Sequence, residues 1–279
     1  MARQRRYFSG AAACLLVVTV SVWASPDVHA RSAGPASALA APPAQSIPVS
    51  VEKPARTPDV ASAHINPEAA TGFERRELAQ AHHFMVSAAN PVAARAGADI
   101  LAAGGSAADA AIATQLVLNL VEPQSSGIGG GGFIVSYDAG SGAVHTYDGR
   151  ETAPASTSAD LFVRDGAVMA FRDAVNSGRS VGVPGLPAAL FMLHEQHGRL
   201  PWGQLFEPAI AVAERGFAVS PRLHQLLAQN TALREQPAAA AYFYDQDGKP
   251  WPVGHILKNP ALARVYRALA EQGPDAFYN

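Results

Sequence analysis

Cysteine is almost absent from these 279 residues: the only one is Cys14. It lies inside an apolar N-terminal run, with Leu15 to Val22 still to follow, so it does not stand where a lipid-modified cysteine stands, after the apolar run. A chain that loses this run has no disulfide framework, no thiolate nucleophile and no soft metal site. Charge is sparse too, at 16% of residues, which suggests that much of the surface is covered by something else. The net charge of −2 gives no electrostatic case for nucleic acid. No Gly-Lys-Ser/Thr ending follows the glycine run, which excludes a phosphate loop, and a strand rather than a helix is expected after it, which excludes a dinucleotide loop. His194-Glu195-Gln196-His197 is one residue short of a zinc helix motif and suggests no third ligand. Gly178-Arg179-Ser180-Val181-Gly182 has the letters of a nucleophile elbow without the preceding strand or following helix. No internal repeat is visible.

What is present starts with a secretory signal over 1–30. Arg3, Arg5 and Arg6 form its basic end, and Ala11 to Ala24 form an apolar stretch short for a bilayer. Cleavage is expected between Ala24 and Ala30, with Val28-His29-Ala30 as one small-residue site. Its loss removes three arginines and Asp27 and takes the net charge to −4. The expected destination is secreted or periplasmic in a bacterium, without a stable membrane anchor. Residues 31–80 form a second unit, a flexible leader in which Pro35, Pro42, Pro43, Pro48, Pro54, Pro58 and Pro67 punctuate Ala and Ser. Such a segment buries too little apolar surface to offset its ordering entropy.

The folded unit is expected over 81–279, and 48% hydrophobic residues supply its core. Phe84 to Ala88 reads as a short strand. Asn90-Pro91 opens a helix, and Gly104-Gly105 stops it. Ser106 with Asp109 forms a capping box for a second, alanine-rich helix running towards Leu120. Phe133 to Tyr137 and Val144 to Asp148 read as a buried hairpin with Arg150 at its far end. The loop Gln124 to Gly132 reads as a close backbone crossing. Further helices are expected over Pro187 to His197, Trp202 to Arg215, Ser220 to Gln229 and Asn259 to Gln272, with a polar hairpin over Tyr242 to Val253. Phe206, Ile210 and Phe217 are core candidates.

Six blocks in order, MVSAANP, GGSAADAAIA, GIGGGGF, DGRETAP, SVGVPG and GPDAFY, closely resemble the gamma-glutamyltranspeptidase family over roughly Phe84 to Asn279. The resemblance implies an α/β fold, a four-layer αββα sandwich of the N-terminal-nucleophile hydrolase type, incomplete over this length. It implies a self-processing precursor whose new N-terminal threonine attacks a gamma-glutamyl amide, with the threonine's own amino group as base. The gamma-glutamyl-enzyme then passes its acyl group to water or to an amino acid or peptide amine. No threonine here stands in that processing context; Thr231 ends a helix. The resemblance places the nucleophile beyond Asn279, and a chain without it is expected to be inactive alone.

One site residue carries over from the resemblance. Arg150, within Arg150-Glu151-Thr152-Ala153-Pro154, matches the arginine that binds the substrate α-carboxylate. A guanidinium suits this, being always charged and presenting a planar fork. The competing reading pairs Arg150 with Glu151, Asp148 or Asp173, and Glu151 is expected to support the fold. No cofactor and no metal are implied. The implied partners are glutathione or another gamma-glutamyl small molecule and the small subunit of the same precursor. A cephalosporin acylase or a poly-gamma-glutamate hydrolase on the same scaffold is an alternative, and a non-catalytic binding or assembly partner is another.

Overall fold

The computed structural model describes residues 78–279. The expected signal over 1–30, with Cys14, and nearly all of the leader lie outside the described residues.

Helix α1, Pro91–Ala102, starts where Asn90 caps it: the Asn90 carboxamide oxygen accepts from the Val92 amide at 3.0 Å. Helix α2, Ala107–Val121, starts at the expected capping box. Ser106 Oγ accepts from the Asp109 amide at 3.1 Å, and Asp109 Oδ2 accepts from the Ser106 amide at 2.8 Å. From Ala108 to Val121 only Ala111 is not fully buried, so α2 is the central rod of the fold. A helix apolar on every side needs such cover on every side. Helix α1 approaches it closely at Gly97, where a Cβ would stand 2.2 Å from Thr114 Oγ1.

Strands β1, Gly132–Asp138, and β2, Ala143–Gly149, pair antiparallel, with Ile134 opposite Tyr147. One face of this hairpin packs inward. The other carries Phe133, Val135, Tyr137 and Val144, all exposed, so the hairpin is half-buried and not buried as expected. The period-2 alternation was present in the sequence, but both faces are apolar enough to read as interior.

A short ribbon follows, β3 at Val163–Arg164 and β4 at Ala167–Val168, then α3 at Phe171–Val175. Helix α4, Leu186–His197, ends at Gly198 as expected and packs on α2 and β2. The helix expected over Trp202 to Arg215 is divided: Trp202–Phe206 is a 3-10 turn and α5 spans Glu207–Arg215. Pro208 has no N–H to give Gln204, which interrupts a continuous helix there. Strand β5, Phe217–Ala218, leads to α6, Pro221–Gln229, capped by Ser220. Helix α7, Pro237–Phe243, takes up the first residues of the hairpin expected over Tyr242 to Val253. Of that hairpin a single bridge, Tyr244 to Pro250, remains around a tight turn at Asp245.

Strand β6, Ile256–Leu257, pairs with β5, and α8, Pro260–Gln272, starts at the Asn259 cap. Helix α8 is tied to the rod by Tyr266, fully buried, whose hydroxyl donates to the Leu116 carbonyl at 2.9 Å. A short turn, α9, Asp275–Tyr278, follows. Phe206 and Phe217 are buried and Ile210 packs against the same core. The expected strand at Phe84 to Ala88 does not form. The segment has no pairing neighbour among the described residues and instead lodges Val86 and Ala88 against the core.

Candidate functional site

Three backbone segments meet where the glycine run, the end of β2 and the start of α4 cross. The Gly130 carbonyl accepts from the amides of Gly185 and Leu186, each at 3.2 Å. Thr152 and Val183 form a two-way antiparallel bridge, at 3.2 and 2.8 Å. A Cβ on Gly131 would stand 2.4 Å from the Gly149 carbonyl oxygen, and one on Gly185 2.3 Å from the same atom. Only glycine permits this approach. The crossing expected from the sequence is therefore real at Gly131, whereas Gly127 and Gly129 face open space.

The approach to the crossing is fixed from within the core. Glu122, buried at the end of α2, accepts from Asn90 Nδ2 at 3.1 Å, from Gln124 Nε2, and from Arg222 Nη1 at 3.2 Å. Gln115 Nε2 donates to Asn119 Oδ1 at 2.9 Å and to Ser126 Oγ. These bonds anchor the chain from Gln124 to Ser126 just before the glycines. On the far side Tyr278 Oη donates to the Pro184 carbonyl at 2.7 Å and accepts from the Ala188 amide. Two of the sequence blocks, SVGVPG and GPDAFY, thus meet directly. Burial pushes the Tyr278 phenol up, in favour of the neutral form that makes this donor bond.

Arg150 is the first residue beyond β2. Its amide donates to Asp148 Oδ1 at 3.0 Å, and its Nη2 lies 3.1 Å from Glu151 Oε2. Asp173 forms no ion pair with it. The Arg150 side chain remains 35% exposed, and that of Glu151 28%. At this exposure the pair is worth on the order of 1 kcal/mol or less. A guanidinium has five N–H donors, so one contact leaves a fork for an incoming anion. Arg150 lines a cavity of about 520 Å³ together with Thr152, Thr157, Arg179 and Ser180. That size suits a small-molecule ligand.

Of the two arginines that line the cavity, the sequence singled out Arg150 and not Arg179, which lay in a block read only as a turn. The signal available was a second arginine inside SVGVPG's flank; that it lines the same cavity as Arg150 is a tertiary fact. Ser180 in the same block turns its hydroxyl to the Val175 and Ser177 carbonyls, at 3.0 and 2.9 Å, within a 3-10 turn and not an elbow. Thr231 is exposed and does not line this cavity. His194 Nε2 sits 2.9 Å from the Leu200 carbonyl oxygen, and His197 stacks near His145. Among the described residues no group of three or more His, Cys, Asp or Glu is placed to hold a metal ion.

The sequence model described as Gamma-glutamyltranspeptidase matches residues 93–279. Glutathione hydrolase 3 of Arabidopsis thaliana is 35% identical over 203 residues, covering 73% of this chain and 31% of the relative. The glutathione hydrolase proenzyme of Bacillus subtilis is 37% identical over 195 residues, 70% of this chain and 33% of the relative. This chain therefore spans about a third of the length of these curated relatives. The gamma-glutamyltranspeptidase structure of Helicobacter pylori superposes with a TM-score of 0.69 at 28% identity, over 73% of this chain and 58% of that one. The cephalosporin acylase of Bacillus halodurans gives 0.62 at 29%, over 77% and 41%. The mixed helix and strand architecture is thus the α/β class of these N-terminal-nucleophile sandwiches. The described residues supply one long hairpin with helices behind it and not the complete four layers.

Proposed function

The chain belongs to the gamma-glutamyltranspeptidase family, and we propose that it carries the donor-gripping part of a gamma-glutamyltransferase/glutathione hydrolase precursor. The observation that supports this is the Arg150 guanidinium, half-exposed at the wall of a cavity and held there by a glycine-dependent backbone crossing. A gamma-glutamyl donor presents an α-carboxylate, and a planar fork on a rigid turn is the group that fixes it by two parallel bonds. Glu151 partly neutralises that charge and orients it, which favours a ligand able to replace the loose contact.

The reaction is cleavage of a gamma-glutamyl amide through a gamma-glutamyl-enzyme, with transfer to water or to an amino acid or peptide amine. The attacking hydroxyl is a threonine freed by self-processing and supplied by polypeptide outside these 279 residues, in the small subunit. Within this chain Ser180 is turned to backbone carbonyls and Thr231 is remote from the cavity lining, so neither is the nucleophile. On this proposal the isolated chain is expected to show no gamma-glutamyl turnover. The basic and apolar character of 1–30 supports export to a bacterial periplasm or medium.

The test is binding of L-glutamate to the chain by calorimetry, with Arg150→Lys beside it. Lysine keeps the charge and loses the fork. Affinity is expected to drop by about tenfold or more, as for loss of a charged hydrogen bond. Equal affinity would remove Arg150 from the role. The likeness to a cephalosporin acylase supports a second reading, acylase chemistry on the same scaffold. A glutaryl-bearing ligand, which keeps that carboxylate and lacks the α-amino group, separates the two: it binds as well as glutamate only under the second.

A further inference from the structure

The cavity that holds Arg150 has a second cation, and its placement is not random with respect to the first. Thr152 and Val183 bridge antiparallel. Arg150 lies two residues before Thr152, and Arg179 lies four residues before Val183. In an antiparallel pair these offsets run in opposite directions from the bridge. Gly185 confirms the direction on the Arg150 side, since a Cβ there would stand 2.6 Å from the Arg150 carbonyl oxygen. The two arginines therefore line the same cavity from opposite sides of this bridge.

Their partners differ. Arg150 has Glu151 at 3.1 Å. Arg179 has a single direct bond, Nη1 donating to the Leu161 carbonyl at 2.7 Å, and no described carboxylate within ion-pair distance. Asp160 feels its charge: the Ser158 hydroxyl foremost, and Arg179 last, hold that carboxyl below its usual range. The carbonyl bond fixes one arm of the Arg179 guanidinium and leaves the others without a protein acceptor among the described residues, and the residue lines the cavity with Leu161 and Phe162. A ligand with one anionic end thus meets one arginine, and an elongated ligand with two anionic ends meets both.

We propose that Arg179 forms a second carboxylate subsite, which takes the C-terminal carboxylate of an extended gamma-glutamyl peptide whose α-carboxylate is held by Arg150. This rests on the Arg150 reading above and adds a preference: donors with a free distal carboxylate over amides or esters of the same length. It assigns Arg179 a specificity role that touches the ligand's far end and takes no part in the acyl transfer.

The experiment uses the full chain and three probes by calorimetry: L-glutamate, S-methylglutathione and the glycyl monoethyl ester of S-methylglutathione. The wild-type chain is expected to bind the acid about threefold to tenfold more tightly than the ester, the range for a charged hydrogen bond discounted for solvent exposure. Arg179→Gln is expected to abolish that difference with glutamate affinity within about twofold of wild type, and Arg179→Lys to restore part of it. Equal wild-type affinities for acid and ester overturn the subsite without any variant. So does discrimination that persists in Arg179→Gln, including when that variant only lowers the melting temperature, which would mark Arg179 as a brace for Leu161. Failure of glutamate itself to bind overturns the Arg150 reading and the subsite with it, whereas glutamate binding with no acid-ester difference overturns the subsite alone.

Discussion

Gly131 and Arg150 are in backbone contact: a Cβ placed on Gly131 would lie 2.8 Å from the Arg150 Cα. The backbone of Arg150 is thus positioned by a residue with no side chain. Gly131→Ala is expected to push Arg150 off its turn and destabilise the fold by roughly 1–3 kcal/mol, the range for overpacking a rigid contact. Gly129→Ala, which meets open space, is expected to stay within about 0.5 kcal/mol of wild type. Urea unfolding of the two variants checks both. Equal stabilities would show that the crossing yields freely.

Asp109 joins two distant parts of the chain. Besides capping α2, its Oδ2 accepts from the amides of Arg199 at 3.0 Å and Leu200 at 3.1 Å, and the residue is fully buried. Asp109→Ala is expected to cost about 3 kcal/mol, since it removes a cap and leaves the part-buried amides of Ser106, Arg199 and Leu200 without their acceptor. Chemical denaturation measures it. A loss below about 1 kcal/mol would mean that water replaces the carboxylate.

Burial pushes the Tyr242 phenol up to about 12, against 10.0 for a free one. The raised value favours the neutral form in the folded state. Its stabilisation is present in full below pH 10, where both states are protonated, and is lost as the pH rises through about 12, because the unfolded chain ionises first. Melting temperature is expected to fall across this window, and Tyr242→Phe to reduce the slope. A flat profile from pH 9 to 12 would contradict the assignment.

How much of this could be read beforehand depended on the range of the forces involved. The starts at Asn90-Pro91, Ser106, Ser220-Pro221 and Asn259-Pro260 are bonds within three residues, and all four stand as expected. The strand expected at Phe84 to Ala88 failed because a strand is made by its partner, which no local pattern supplies. Arg150 was legible through its motif. Arg179 was not, because it comes to the cavity of Arg150 through a fold that bridges Thr152 to Val183 across some thirty residues of chain. The exposed side of the hairpin was equally invisible, since Val135 and Tyr137 are apolar wherever they point.

That side has a consequence for handling. Val135 is 69% exposed and Tyr137 66%, with Phe133 and Val144 beside them. A contiguous apolar face of this kind promotes association. The chain alone is expected to self-associate, and Val135→Lys with Tyr137→Lys to raise the monomer fraction without lowering stability. Sedimentation velocity at several concentrations decides it. A wild-type chain that stays monomeric throughout would show the face to be harmless.

The central claim is that the Arg150 fork grips the amino-acid end of a gamma-glutamyl donor, and a crystal structure with L-glutamate bound tests it most directly. The expected result is a pair of bonds near 2.8 Å from the guanidinium to the α-carboxylate, with Glu151 displaced from its 3.1 Å contact. Glutamate seated elsewhere, or an Arg150 side chain still paired with Glu151 and turned from the ligand, would contradict it.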